Sequence, residues 1–197
     1  MEVMETPRPT GTESKHSEEF DRSLVQRIAQ GDRAAMQQLF ELHCSRITGF
    51  FNRLALENEV ADELTVETFV SAWDGAGNFD GCLPVSIWLL GLAFRCALRS
   101  TNVSRDRADC GDSDLVDEGA KLRFQKLGRA EWLDALSSLP MGHRVAVELT
   151  YDLRQSCEET AAIMGCSEAE VRWHVLSATQ ELRTRLAIVG RHRKLSG

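Results

Sequence analysis

From Leu24 to Trp73 the apolar residues recur at intervals of three and four. Leu24, Val25, Ile28 and Ala29 come first, ending at the breaker Gly31-Asp32. Ala35, Met36, Leu39, Phe40 and His43 follow. Ile47, Phe50, Phe51 and Leu54 make another face, and Val66, Phe69, Val70 and Trp73 a fourth. This is the period of an amphipathic helix. Strand-like alternation is scarce along the whole chain, so the expected fold class is all-α.

Punctuation divides the pattern. Asp74-Gly75-Ala76-Gly77-Asn78-Phe79-Asp80-Gly81 holds three glycines and reads as a loop. Pro84 suits the first turn of a helix running from about Val85 to Ser100. That helix contains Ile87-Trp88-Leu89-Leu90-Gly91-Leu92-Ala93-Phe94. It is apolar around most of its circumference and belongs at the centre of its domain. Residues 101–130 mix Arg and Lys with Asp and Glu and hold few large apolars, the composition of a solvated linker. The apolar pattern resumes at Trp132, Leu133, Leu136 and Leu139. Two helical domains, 20–100 and 131–190, are therefore expected, with a disordered tail over 1–19 and a short tail over 191–197.

In the second domain a helix after Pro140 carries Val145, Val147, Leu149 and Leu153. Ser156 with Glu159 three residues on forms a capping box that opens a short helix, Cys157 to Met164. Ala161 is small enough for two helices to cross closely. Gly165 takes the left-handed geometry that ends the helix, and Ser167 with Glu170 forms a second capping box. Two capped helices across a three-residue turn have the helix-turn-helix layout. Val171, Val175, Ala178 and Leu182 make the apolar face of the second helix. An ordinary helical hairpin satisfies the same pattern, because capping sets geometry rather than chemistry.

Charge limits what such a helix can do alone. The chain of 197 residues carries a formal net charge of −7. Between Ser167 and Leu186, Arg172, Arg183 and Arg185 are cancelled by Glu168, Glu170 and Glu181. Phosphate neutralisation dominates affinity for a duplex, so a solitary DNA binder is disfavoured. The six cysteines, Cys44, Cys82, Cys96, Cys110, Cys157 and Cys166, form no CxxC pair and read as free thiols. No metal site and no cofactor is expected; His43 beside Cys44 does not share a helix face with it. No apolar run approaches the ~18 residues of a membrane span, and the polar N-terminus lacks the apolar core of a secretory signal. A cytoplasmic protein without stable membrane insertion is expected.

Over residues 23–100 and 132–187 the chain resembles the extracytoplasmic-function group of bacterial sigma-70 family RNA polymerase sigma factors. LVQRIAQGDRAAMQQLFELH resembles the opening helices of sigma region 2. ADELTVETFVSAW resembles the helix that docks on the polymerase clamp, and NFDG followed by IWLLGLAFRCAL the segment that opens and reads the −10 element. LSSLPMGHRVAVELTYDLRQSCEETAAIMGCSEAEVRWHV resembles region 4, the reader of the −35 element.

The resemblance implies a non-enzymatic subunit that binds the clamp and flap of core RNA polymerase and directs it to promoter DNA, under an anti-sigma protein. It assigns core-polymerase binding to Asp62, Glu63, Glu67, Phe69 and Trp73. It assigns −10 DNA binding to Asn78, Phe79, Leu83, Trp88, Arg95 and Arg99. It assigns −35 DNA binding to Ser167, Glu170, Arg172, Trp173, His174 and Ser177. Several assignments have plainer alternatives: a solvated helix face for the carboxylates, a turn for Asn78, core packing for Phe79, and packing on the preceding helix for Trp173. The chain also departs from the family pattern. Asp80 stands where a basic residue is frequent, Cys82-Leu83-Pro84 replaces a polar segment, Gly91 replaces a common arginine and Val66 a common glutamine. The recognition helix has Trp173, His174, Ser177 and Thr179 where the family is more polar and basic. Weak or unusual −35 recognition follows, and with it a second expectation, a sigma-like interaction module that has lost promoter reading. A stand-alone regulator is opposed by the acidity. An enzyme finds no nucleophile–base pair and no phosphate-binding glycine loop.

Overall fold

A computed structural model describes residues 11–54, 56–100 and 129–195, with side chains described for 18–54, 56–100 and 130–185. The described residues are helical, in the order α1 (Gly11–Ile28), α2 (Arg33–Arg53), α3 (Asn58–Gly75), a 3-10 turn (Ala76–Asn78), α4 (Val85–Ser100), α5 (Arg129–Ser137), α6 (Met141–Val147), a π turn (Glu148–Asp152), α7 (Cys157–Met164) and α8 (Glu168–Leu195). The linker expected over 101–130 lies outside the described residues, except that Arg129 and Ala130 already open α5. Two tail boundaries move. Residues 11–19 are the first turns of α1 rather than a tail, and the α8 backbone passes residue 190 to Leu195.

Several helix ends have a local cause. The Asp32 carboxylate accepts from the amides of Ala34 and Ala35 at 2.9 and 3.1 Å and so caps α2. It also pairs with Arg27 at 2.7 Å, tying α1 to the start of α2. Ser156 and Glu159 form the reciprocal capping box of α7, and Gly165 ends that helix at φ 65°, where a Cβ would be strained. Ser167 and Glu170 repeat the box on α8: the Ser167 amide donates to Glu170 at 2.7 Å and the Glu170 amide to Ser167 Oγ at 3.2 Å.

The first half packs α2 and α3 on each other and α4 against both. Leu39, Ile47, Phe50, Phe51, Leu64, Leu89 and Leu90 are buried at the centre. Ten of the sixteen residues of α4 are buried, and the reason lies on its far side. There α7 and α6, from the second half, pack on α4. A Cβ placed on Gly91 would stand 3.5 Å from the carbonyl oxygen of Ile163 and 3.9 Å from its Cα, so the two helix backbones pass in contact. Met141, Val145, Leu149, Ile163, Met164, Val171 and Val175 join the same buried cluster as Phe50, Leu90 and Phe94. The two expected domains thus share one core. A smaller cluster of Ala135, Leu136, Leu139, Val147, Ala178 and Leu182 fixes α5 on the outer face.

Polar contacts cross the same seam. Arg53, at the end of α2, donates through Nε to Glu148 of the π turn. Glu148 is 1% exposed, and burial pushes its carboxyl up to about 8 despite the opposing pull of Arg53. Arg144 donates to the carbonyl of Leu54 at 3.2 Å, and also to those of Leu139 (2.7 Å) and Ser137. One guanidinium therefore satisfies the end of α2 and the end of α5 together.

Candidate nucleic-acid interface

The loop expected to read the −10 element runs into the N-terminus of α4. The 3-10 turn leaves Asn78 exposed. Phe79 turns inward instead, its ring 4.9 Å from that of Trp88. Both rings and Leu83 pack against the core, partly buried. Asp80 closes an Asx turn by accepting from the Cys82 amide at 2.9 Å. That hydrogen bond holds the Asp80 carboxyl below the usual carboxylate range, and Asp80 in turn raises the Cys82 thiol. The loop therefore presents an exposed amide side chain beside a fixed negative charge. Arg95 projects outward from α4 next to Gly91, at the edge of the seam with α7.

Arg99 does not stand alone. Its guanidinium donates to Glu67 of α3 at 2.7 Å, both groups largely exposed. This joins a residue expected to meet DNA to one expected to meet protein. An exposed pair of this kind is worth about 0–1 kcal/mol and is readily exchanged for another partner.

The outer face of α3 holds Asp62, Glu63 and Glu67, all exposed. Phe69, expected on this docking face, is instead 3% exposed, edge-on to Phe40 at a centroid distance of 4.8 Å. Trp73 is partly buried against the core. The side chains that make the face apolar are Val66 and Val70, 57% and 55% exposed, with Phe40 of α2 also exposed. The sequence carried a signal for them: valines one turn apart, on either side of Glu67.

On α8 the expected contact residues divide. Ser167 and Glu170 are engaged with each other as the cap. Arg172 reaches back to Glu168 at 3.4 Å. Trp173 and His174 turn toward His143 of α6, with ring centroids at 5.2 Å from it in both cases. Gly142 makes room for this: a Cβ there would stand 3.1 Å from His174 Cε1. Nδ1 of His143 and Nδ1 of His174 are both buried without a hydrogen-bond partner among the described residues. Burial lowers both imidazoles, His174 to about 4, with the neighbouring His143 adding to the effect. At neutral pH the cluster is an uncharged wedge between α6 and α8. Ser177 is half-buried. Trp173 thus packs against α6, two helices back in the chain, rather than on the helix just before it.

Among the described residues no three His, Cys, Asp or Glu side chains gather in a way that holds a metal ion, and no helix is long and apolar enough to cross a membrane. The described residues present an acidic and apolar helix face, an amide-bearing loop and a capped helix-turn-helix.

Comparison with known proteins gives these surfaces a setting. No family model matches the chain. It is similar to the ECF RNA polymerase sigma-E factor of Haemophilus influenzae, 24% identical over 180 residues, covering 84% of this chain and 95% of the relative. It is similar to the RNA polymerase sigma-H factor of Pseudomonas aeruginosa, 26% identical over 184 residues, covering 84% and 93%. It is similar to the sigma factor CarQ of Myxococcus xanthus, 28% identical over 162 residues, covering 81% and 93%. Its fold is that of CnrH, solved in complex with the cytosolic domain of CnrY, with a TM-score of 0.61 at 24% identity over 86% of this chain and 98% of that one. The order of motifs, the helix-turn-helix with its two capping boxes, and near full-length similarity to several sigma factors point the same way: the chain is similar, over most of its length, to RNA polymerase sigma factors of the extracytoplasmic-function group, and it shares the fold of one of them.

Proposed function

We propose that this chain is an alternative sigma factor: it docks on core RNA polymerase in the cytoplasm, carries it to a promoter and helps open the −10 region. The observation that carries this reading is the presence, in one chain and in the family order, of the exposed α3 face, the Asn78 loop and the capped α7–α8 pair. The clamp of the polymerase meets α3 through Val66 and Val70, with Asp62 and Glu63 at the rim. Asn78 offers amide hydrogen bonds to an unstacked base, and the partly buried Phe79–Trp88 pair supports the wall behind it. Arg95 and Arg99 supply phosphate contacts, the latter by leaving Glu67. Arg172, released from Glu168, is the base- or phosphate-reading residue of α8. The role is binding, with no chemical step assigned to any side chain.

A charge-balanced α8 suffices because the polymerase holds the domain at the duplex, which makes its contacts effectively intramolecular. The partner that keeps the protein silent is an anti-sigma protein; the shared fold with CnrH, solved bound to CnrY, supports this.

A second reading has its own observation. Trp173 and His174 are spent on α6, and Arg172 on Glu168, so α8 keeps few free groups for DNA. A sigma-like interaction module that docks on polymerase without reading −35 would look the same. Transcription with purified core polymerase and this protein, on pooled genomic fragments with core alone as control, separates the two. New start sites sharing a −35/−10 pair support the sigma factor, and Asn78→Ala or Arg172→Ala then lowers their yield with core binding intact. Co-elution with core but no new starts moves the assignment to the module. In either case Val66→Asp weakens core binding about tenfold, the size expected when a charge is forced into an apolar contact.

A further inference from the structure

α4 begins without a cap of its own. Pro84 precedes it and has no side-chain acceptor; its carbonyl takes the amides of Ile87 and Trp88, each at 3.0 Å. The amide of Val85, the first residue of the helix, donates elsewhere: to Oε1 of Glu18, on α1, at 2.9 Å. The two residues are 67 apart in the chain. Glu18 lies 3.5 Å from Nε of Arg22, one turn further along α1. The Arg22 guanidinium then extends under the loop, with Nη1 3.9 Å from where a Cβ on Gly81 would stand. Gly81 is at φ 73°, the left-handed region, so this is the point where the loop reverses.

The hydrogen bond from Val85 to Glu18 fixes the end of the loop, and the Arg22 guanidinium lies beside Gly81 within it. From this we infer that Glu18 and Arg22 are positioning residues for the −10-reading loop. Glu18 supplies the cap that Pro84 cannot, and Arg22 holds Glu18 in place beneath Gly81. The inference rests on the reading of residues 78–84 as the −10 reader and extends it to a helix outside that segment.

The physical argument is direct. An amide at a helix N-terminus lacks an intrahelical partner, and a carboxylate there also meets the positive end of the helix dipole. Without Glu18, Val85 must find water, and the turn from Gly81 to Val85 loses its fixed end. A base-reading pocket works only when its supporting residues hold it close to the productive geometry.

The test uses full-length protein bound to core polymerase, on a promoter fragment recovered from the library transcription above. Strand opening is read by permanganate reactivity of −10 thymines, core affinity is measured in parallel, and amide hydrogen exchange is followed in the free full chain. Glu18→Ala is expected to lower opening about tenfold, the effect of losing one charge-assisted hydrogen bond, with core affinity within about twofold. Val85 exchange should quicken while α2 and α3 amides stay protected. Glu18→Gln keeps an acceptor oxygen and should open close to wild type. Arg22→Ala should fall between.

Opening by Glu18→Ala equal to wild type, or exchange that rises uniformly along the chain with lost core affinity, would overturn the positioning role. If the wild-type holoenzyme opens no fragment, the promoter-reading assignment fails and this inference with it. That outcome is distinct from a wild type that opens and a Glu18→Ala that opens equally.

Discussion

The carboxyl of Glu148 and the imidazole of His174 titrate in opposite senses, and both effects follow from burial. Glu148 has its pKa raised from 4.5 to about 8. The folded chain therefore keeps a proton that the unfolded chain releases, and stability from this group falls as pH rises from 4.5 to about 8, then levels. His174 has its pKa lowered from 6.5 to about 4. Here the unfolded chain takes up the proton first, so stability falls as pH drops from 6.5 to about 4, then levels. Glu148→Gln should remove the alkaline loss and His174→Gln the acid loss, each relative to wild type. Denaturant midpoints across pH 4 to 9 check this; parallel profiles for variant and wild type would contradict it. Neither group was legible in the sequence as a titrating site. Glu148 sits in a run of apolar residues with nothing to mark its partner, because Arg53 is brought to it only by tertiary packing. His174 and Trp173 occupy positions that a helical wheel leaves sideways, and only α6 decides which way they turn.

Local rules fare better at the scale of elements. The α7 boundaries, its capping box, the left-handed Gly165 and the second box on α8 were all readable from spacing. Each depends on residues within one turn, and such interactions are written in the order of the chain. Ser156→Ala should cost about 1 kcal/mol in urea unfolding, the usual worth of an N-cap; a change below experimental error would mean that tertiary packing alone holds α7. The outer face of α3 was only half legible. The helix and the exposure of its carboxylates were readable, but Phe69 went inside and Val66 and Val70 outside. Periodicity put all three in one apolar stripe. Phe69 meets Phe40 of α2, while the flank of the stripe stays in solvent. The start of α1 was missed for a related reason: polar residues before Phe20 give no apolar period, and Glu18 acquires its use only when α4 arrives.

At the scale of the molecule, α4 ties the two halves together. Its all-round apolarity marked it as central, though central to one domain; the structure makes it central to both. Gly91, which read as a lost arginine, is where the α7 backbone meets α4. A Cβ there would just touch Ile163, so a side chain larger than alanine must displace it. Gly91→Leu should cost about 1–3 kcal/mol, the range for overfilling a packed contact, and should enlarge the particle in small-angle scattering while α1–α3 keep their helicity. An unchanged radius with full stability would show that the seam yields easily.

The shared core has one more consequence. Arg53 meets Glu148, Leu54 meets Arg144 and Gly91 meets Ile163 through the described residues themselves. These contacts are expected to let the halves recognise each other as separate chains. Two separately synthesised pieces, ending at Ser100 and starting at Arg129, should find one another in solution and co-purify, a natural split protein whose reassembly reports on the seam itself.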